Sequence, residues 1–198
     1  MAHLHSPRLT IALAVAVVGV GLLFFTPWFH LPGTDQGYAP EQPLAFSHAQ
    51  HAGALGIDCQ YCHAFAERSS HAGLPSADTC LNCHRYIPGT KDPSAIRRLY
   101  GYAGLDADGR SDPQGHPRPI PWVRVSRLPD YVRFDHSAHV LAGVSCQTCH
   151  GAVQTMERTR QALDLGMGAC VNCHRTATRQ GLNGKAVHAA TDCSTCHQ

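Results

Sequence analysis

Cys59-Gln60-Tyr61-Cys62-His63 is the first of five Cys-x-x-Cys-His motifs in this chain of 198 residues. The other four begin at Cys80, Cys146, Cys170 and Cys193, and the five motifs together contain all ten cysteines of the sequence. The pattern is typical of covalent haem attachment, in which two thiols bond to one porphyrin and the next histidine becomes an axial ligand of the iron. The sequence therefore predicts five covalently bound haem c groups.

Each cysteine and each histidine of these motifs receives a predicted role. The thioether bonds to haem are predicted at Cys59, Cys62, Cys80, Cys83, Cys146, Cys149, Cys170, Cys173, Cys193 and Cys196. The proximal iron ligands are predicted to be His63, His84, His150, His174 and His197. No catalytic residue is predicted, because ligands on both faces of every iron leave no open position for a substrate.

Zinc sites and disulfides are the competing interpretations of paired cysteines. Zinc binds Cys pairs but does not require a histidine directly after the second Cys, and histidine supplies only 15 of the 198 residues. If composition alone decided, His would follow all five pairs with a probability of roughly three in a million. Disulfides do not need a uniform gap of two residues. The spacing therefore favours haem.

The composition limits both the partners and the fold. Charged residues make up 15% of the chain and the formal net charge is +2, which argues against nucleic acid as a partner. Residues 30–198 offer only about 34 residues for each of five haems, too few for an ordinary sheet or bundle core. We expect the porphyrins to form the apolar interior of a mostly irregular, small all-α domain with short helices and little strand.

The N-terminal region contains 21 uncharged residues, from Leu9 to Phe29. That length predicts a transmembrane helix, and residues 1–30 are interpreted as a membrane anchor. Arg8 precedes the apolar stretch, which predicts a cytoplasmic N-terminus and a periplasmic haem domain at the cytoplasmic (inner) membrane. A cleaved signal peptide is the alternative, since the strictly apolar part, Ile11–Phe25, is shorter; bulky residues stand where a cleavage site would need small ones.

An internal repeat divides the remaining chain. Phe46-Ser-His-Ala-Gln-His51 and Phe134-Asp-His-Ser-Ala-His139 share the pattern Phe-x-His-x-x-His, and each precedes a haem motif by seven or eight residues. We therefore predict a di-haem repeat at residues 31–85, a haem-free connector at 86–133 and a tri-haem repeat at 134–198.

The connector is rich in proline, glycine and aspartate, which is typical of loops. We expect a short helix near Ser94–Tyr100 and a short strand at Ile120–Val125 within it.

The repeat also indicates the distal iron ligands. Histidines three residues apart lie on one face of a helix and can serve two neighbouring haems. This predicts His48, His51, His136 and His139 as the distal ligands of four haems. For the fifth haem, at Cys193–His197, we predict Met167, which stands where the first repeat has Ala77; the alternatives are His188, His71 and Met156.

The motif arrangement resembles that of class III multihaem cytochromes c, and its fuller pattern is similar to the pentahaem membrane-anchored cytochrome c subunit (ActA) of alternative complex III. Beyond the haem motifs, the resemblance depends on connector segments. These are Ala72-Gly-Leu-Pro-Ser76, Pro121-Trp-Val-Arg-Val125, Leu128-Pro-Asp-Tyr-Val-Arg-Phe-Asp-His136 and Leu165-Gly-Met-Gly168. The resemblance covers residues 9–198.

The resemblance implies an electron-transfer subunit of a quinol:electron-acceptor oxidoreductase complex, without a substrate site of its own. Partners would include iron-sulfur and quinol-oxidising subunits, and electrons would pass to a mono-haem cytochrome c, another periplasmic carrier or an oxidase. Two alternatives stay open at this point. One is a membrane quinol dehydrogenase of the NapC/NirT type that feeds a periplasmic reductase, and the other is a catalytic multihaem reductase.

Overall fold

The chain folds into short helices joined by long irregular segments, as seen in a computed structural model that describes residues 7–25, 35–89 and 92–197. The α-helices are α1 (Pro7–Phe25), α2 (Cys59–Cys62), α3 (Ala77–His84), α4 (Pro93–Tyr102), α5 (His136–Leu141), α6 (Cys146–His150), α7 (Met167–Gln180) and α8 (Cys193–Cys196). A π-helical turn spans Ala49–Ala54, and a 3-10 turn spans Val153–Thr155. The expectation of short helices and little strand agrees with this architecture.

The predicted transmembrane helix is wrong. Across the described residues, no helix combines the length and the apolar character that crossing a bilayer requires. The first turn of α1 contains Pro7 and Arg8, and the apolar residues 9–25 rise roughly 26 Å, which is less than the ~30 Å thickness of a hydrocarbon core. The predicted span also included residues 26–29, which lie outside the described residues.

Aspartates begin several of the helices. The carboxylate of Asp58 accepts a hydrogen bond from the Gln60 backbone N–H at 2.7 Å at the start of α2. At the start of α4, Asp92 accepts from the Ser94 N–H at 2.9 Å, with Pro93 in the first turn. Side-chain acceptors satisfy the free N–H groups of a first turn, and proline is tolerated there. The helix predicted near Ser94–Tyr100 is confirmed, one residue longer at its N-terminal end and two residues longer at its C-terminal end.

A small apolar core joins the connector to the first repeat. Leu99 of α4 and Ile120 pack with Leu44 and with Ala77 and Leu81 of α3, all of them buried. The Tyr100 hydroxyl adds a hydrogen bond to the carbonyl oxygen of His84 at 2.9 Å. The connector is therefore folded against the second haem motif.

The strand predicted at Ile120–Val125 is wrong. Within the described ranges, β pairing consists of three isolated bridges, at Leu105–Ser111, Val132–His197 and Leu182–Lys185. The segment instead pairs through a side chain, because the amide of Gln42 bonds both the N–H and the carbonyl of Val123 at 2.9 Å. Ile120 is buried because it packs on α3 and α4, which explains its apolar character without a sheet.

The two repeats contact each other through their turns. The Ala49 N–H of the π-helical turn donates to the Met156 carbonyl oxygen at 3.0 Å, just after the 3-10 turn of the second repeat. Gly53 lies directly against the backbone oxygen of Gln154, where a Cβ atom would overlap. The helical turn that carries His48 and His51 is thus held against the second repeat.

Candidate haem-binding sites

In each repeat, the ring of one phenylalanine contacts the rings of both paired histidines. The Phe46 ring lies edge-on to His48, with centroids 4.9 Å apart, and stacks on His51 at 4.4 Å. In the second repeat, Phe134 lies edge-on to His136 at 4.8 Å and stacks on His139 at 4.5 Å. The same contacts occur in both copies and fix the orientation of all four histidine rings. This packing explains why the motif begins with an aromatic residue.

Three of these histidines face a histidine of a Cys-x-x-Cys-His motif. The ring centroids are 5.9 Å apart for His51 and His84, 6.4 Å for His136 and His150, and 5.9 Å for His139 and His174. An imidazole nitrogen binds a metal at about 2 Å, and its ring centre lies ~1 Å farther away, so two axial imidazoles of one iron have centres roughly 6 Å apart. The three pairs fit the two axial positions of a haem iron.

His48, the remaining distal candidate, lies near His63, the histidine of the first motif. Burial, followed by the nearby His63, His51 and His150, lowers the pKa of His48 to about 4. His48 is therefore neutral at pH 7, which is the form that binds a metal. Its neighbours place it between the first and third haem motifs.

The fifth motif has a different environment. The Tyr131 ring stacks on His197 with centroids 5.8 Å apart and planes at 25°, and backbone pairing of Val132 with His197 holds the two segments together. Sequence reasoning did not single out Tyr131, although it lies in a segment that carried the family resemblance. Met167 starts α7 and is 69% exposed, so its ligation of the fifth haem stays a prediction.

The alternatives to Met167 differ in their surroundings. Met156 is 4% exposed, and its backbone carbonyl accepts the hydrogen bond from the Ala49 N–H. His71 bonds the Ser70 hydroxyl at 3.0 Å, and His188 is exposed on the segment before α8. Met156 is thus the alternative whose environment fits a packing residue best.

Hydrogen bonds at the second ring nitrogen select the tautomer of most of these histidines. A carbonyl oxygen can only accept, so an Nδ1 that faces one must carry the proton and leave Nε2 free for a metal. The Nδ1–H groups donate to backbone carbonyls in His51 (Ser47), His63 (Gly73), His84 (Ile87), His136 (Ser70), His139 (Asp135) and His174 (Ala190), at 2.5–2.9 Å. Such bonds orient a metal ligand and increase its basicity.

Neighbouring thiols give the spatial order of the motifs. Burial raises the pKa of the Cys62 thiol, and the nearby Cys83 thiol raises it further, which joins the first and second motifs. Burial and the nearby Cys146 thiol likewise raise the pKa of the Cys59 thiol, which joins the first and third motifs. Burial and the Cys173 thiol raise the pKa of Cys149, joining the third and fourth motifs.

Other contacts agree with this order and extend it. The Asn82 amide donates to the Tyr61 hydroxyl at 3.0 Å between the first two motifs. Burial raises the pKa of the Cys170 thiol, and the nearby Cys196 thiol adds to this, which places the fifth motif beside the fourth. The sites therefore follow one another in the order second, first, third, fourth, fifth.

No disulfide joins any of the ten cysteines. Among the residues that the structure describes, no group of three or more His, Cys, Asp or Glu side chains is arranged to hold a single metal ion. The donors instead come as a pair of thiols, the adjacent histidine and, at three motifs, a second imidazole that faces it. This donor chemistry fits covalent haem.

Comparisons with known proteins agree with these sites. Residues 132–198, which contain three of the five motifs, match the family model of cytochrome c7 and related cytochrome c. Together, the motifs and this match support a multihaem c-type cytochrome with covalently bound haem.

A relative with an assigned role covers most of the chain. The menaquinone reductase, multiheme cytochrome c subunit, of Nitratidesulfovibrio vulgaris is 28% identical over 202 residues, which cover 91% of this chain and 88% of the relative. The chain is thus related to a subunit of a quinone-linked complex, which is consistent with a role in electron transfer.

Proposed function

We propose that this chain is a pentahaem electron-transfer subunit of a quinone-linked respiratory complex, with no substrate site of its own. The observation that carries the proposal is the unbroken order of the five motifs, from the second through the first, third and fourth to the fifth. When bound, each haem supplies one-electron chemistry at its iron. The chain contributes ligands on both faces, which exclude substrate from the irons and hold neighbouring sites together.

The ends of this order define where electrons enter and leave. One end is the second motif, Cys80–His84, beside the connector core, and the other is the fifth motif, Cys193–His197, beside Tyr131. A partner that handles quinone docks at one end and a carrier or a second enzyme subunit docks at the other. The connector segments favour a complex similar to alternative complex III, in which electrons come from quinol and pass to a periplasmic carrier or an oxidase.

The proposed location is the periplasmic face of the cytoplasmic membrane, where haem c is attached to proteins. Quinone is lipid-soluble, so the partners that handle it, including iron-sulfur and quinol-binding subunits, would keep this chain at the membrane. This part of the proposal rests on the Cys-x-x-Cys-His motifs and on the quinone-linked relative.

The test is to purify the chain from its native membrane in mild detergent and to follow its haem absorbance on adding a menaquinol analogue. We expect large partner subunits to co-purify and haem reduction to require them. Reduction of the separated subunit by quinol alone would overturn the relay role in favour of a quinol dehydrogenase. Intact mass tests the haem count: an excess over the 21.4 kDa polypeptide other than five haem increments would contradict the pentahaem assignment.

A further inference from the structure

One distal histidine has a different hydrogen-bond partner from the others described. The Nδ1 atom of His48 lies 2.9 Å from the hydroxyl oxygen of Thr159. Six other paired or motif histidines donate from Nδ1 to backbone carbonyls, including His136, which occupies the matching position in the second repeat. A hydroxyl both donates and accepts, so Thr159 does not by itself fix the tautomer of His48.

The contact also crosses the boundary between the repeats. Thr159 lies 111 residues after His48 in the sequence, and it follows the turn whose Met156 carbonyl accepts from the Ala49 N–H. Both groups are partly buried, so water competes weakly for the ring nitrogen. The second repeat thus supplies the partner of a ligand that belongs to the first.

We propose that Thr159 is a positioning residue that orients His48 and sets the midpoint potential of the haem at Cys59–His63. The proposal rests on the proposed ligation of that haem by His48. Metal binding through Nε2 requires the Nδ1–H to donate to the Thr159 oxygen. A hydroxyl oxygen is a weaker acceptor than an amide carbonyl, so His48 gains less negative character and donates less strongly to iron than a histidine held by a carbonyl.

The consequence concerns the step between the repeats. The first and third motifs meet at this boundary, where Cys59 neighbours Cys146. A weaker donor stabilises ferric iron less, so the first site has a higher potential than the same site with a carbonyl partner. Thr159 therefore sets the driving force for one-electron transfer between the di-haem and tri-haem repeats.

A series of three substitutions tests the proposal by redox titration with EPR on the full-length holoprotein. Thr159→Val removes the acceptor at nearly constant volume, and one midpoint potential should rise. Thr159→Ser keeps the hydroxyl and should restore the original value. Thr159→Asp supplies a stronger acceptor and should lower the same potential. We therefore expect the midpoint potential of this haem to be highest with Val, intermediate with Thr or Ser, and lowest with Asp.

Thr155 provides the matched control. Its hydroxyl donates to the Ala152 carbonyl at 2.8 Å in the adjacent 3-10 turn. Thr155→Val should leave all midpoint potentials unchanged, and Thr155→Asp should shift the potential of the first site less than Thr159→Asp does. Equal shifts at the two positions would show a general field effect and overturn the proposal.

The outcomes separate the inference from the proposed function. If the wild type shows the expected low-spin centres and Thr159→Val moves none of their potentials, the role of Thr159 is overturned while the relay stands. If the wild type itself shows an open high-spin site at Cys59–His63, ligation by His48 fails and the inference fails with it. If Thr159→Val folds poorly, the other two variants test the proposal. A lower midpoint potential in Thr159→Asp than in Thr159→Ser supports it, and equal potentials overturn it.

Discussion

The imidazole planes of His136 and His150 are nearly parallel, at 4°, with ring centroids 6.4 Å apart. The planes of His51 and His84 differ by 60°. The angle between axial imidazole planes controls the splitting of the iron d orbitals and therefore the EPR spectrum of low-spin ferric haem. We expect a rhombic low-spin signal from the third site and a more anisotropic signal from the second.

Single-site variants assign these signals. His150→Met should remove the rhombic signal, and His84→Met should remove the anisotropic one. The assignment is contradicted if the variant at His84 loses the rhombic signal instead.

Substitution of Gly53 by alanine tests the contact between the repeats. The added Cβ would overlap the Gln154 backbone oxygen, and forced overpacking of this kind costs about 1–3 kcal/mol. We expect a lower free energy of unfolding by denaturant titration, together with altered potentials at the sites held by His48 and His51. Gly101→Ala is the control, because no atom lies within 4 Å of its Cβ position in α4; it should be neutral or stabilising by ~0.4–1 kcal/mol.

Replacing Met167 by histidine tests the prediction for the fifth haem. Thioether ligation raises a haem potential relative to bis-histidine ligation, so Met167→His should lower one midpoint potential and leave four unchanged. Met156→Leu serves as the comparison, since Met156 is buried in packing and a volume-conserving exchange there costs less than about 1.5 kcal/mol. If the Met167 variant moves no potential, another residue is the fifth ligand.

Carbon monoxide reports whether every iron has two protein ligands. In the wild type, we expect CO to leave the reduced absorbance spectrum unchanged, since two histidines are predicted as axial ligands at four sites, and a histidine with Met167 at the fifth. Met167→Ala should open a single site and let CO bind to about one haem per chain. Strong CO binding to the wild type would instead support a catalytic reductase.

Local sequence patterns predicted most of the candidate sites because haem attachment depends on local spacing. The Phe-x-His-x-x-His repeats indicated the four distal histidines, and three of these rings face the rings of motif histidines. The partners of these ligands were not predictable in this way. Thr159 is 111 residues from His48, and Tyr131 is 66 residues from His197. Such contacts arise only from the tertiary fold.

The two errors in the fold have a common origin, since apolar character alone does not specify a structure. The apolar stretch at Leu9–Phe29 indicated a membrane helix, but no helix among the described residues is long and apolar enough to cross a membrane. The run at Ile120–Val125 indicated a strand, but Ile120 packs against two helices and Val123 bonds a side-chain amide. A short apolar run fits a buried loop as well as a strand.

The core formed by Leu44, Ala77, Leu81, Leu99 and Ile120 has a consequence for how this cytochrome matures. It consists of ordinary aliphatic side chains, so its packing does not require a bound haem. We therefore expect the segment around Cys80–His84 to be ordered before its haem is attached, because its packing does not depend on a porphyrin.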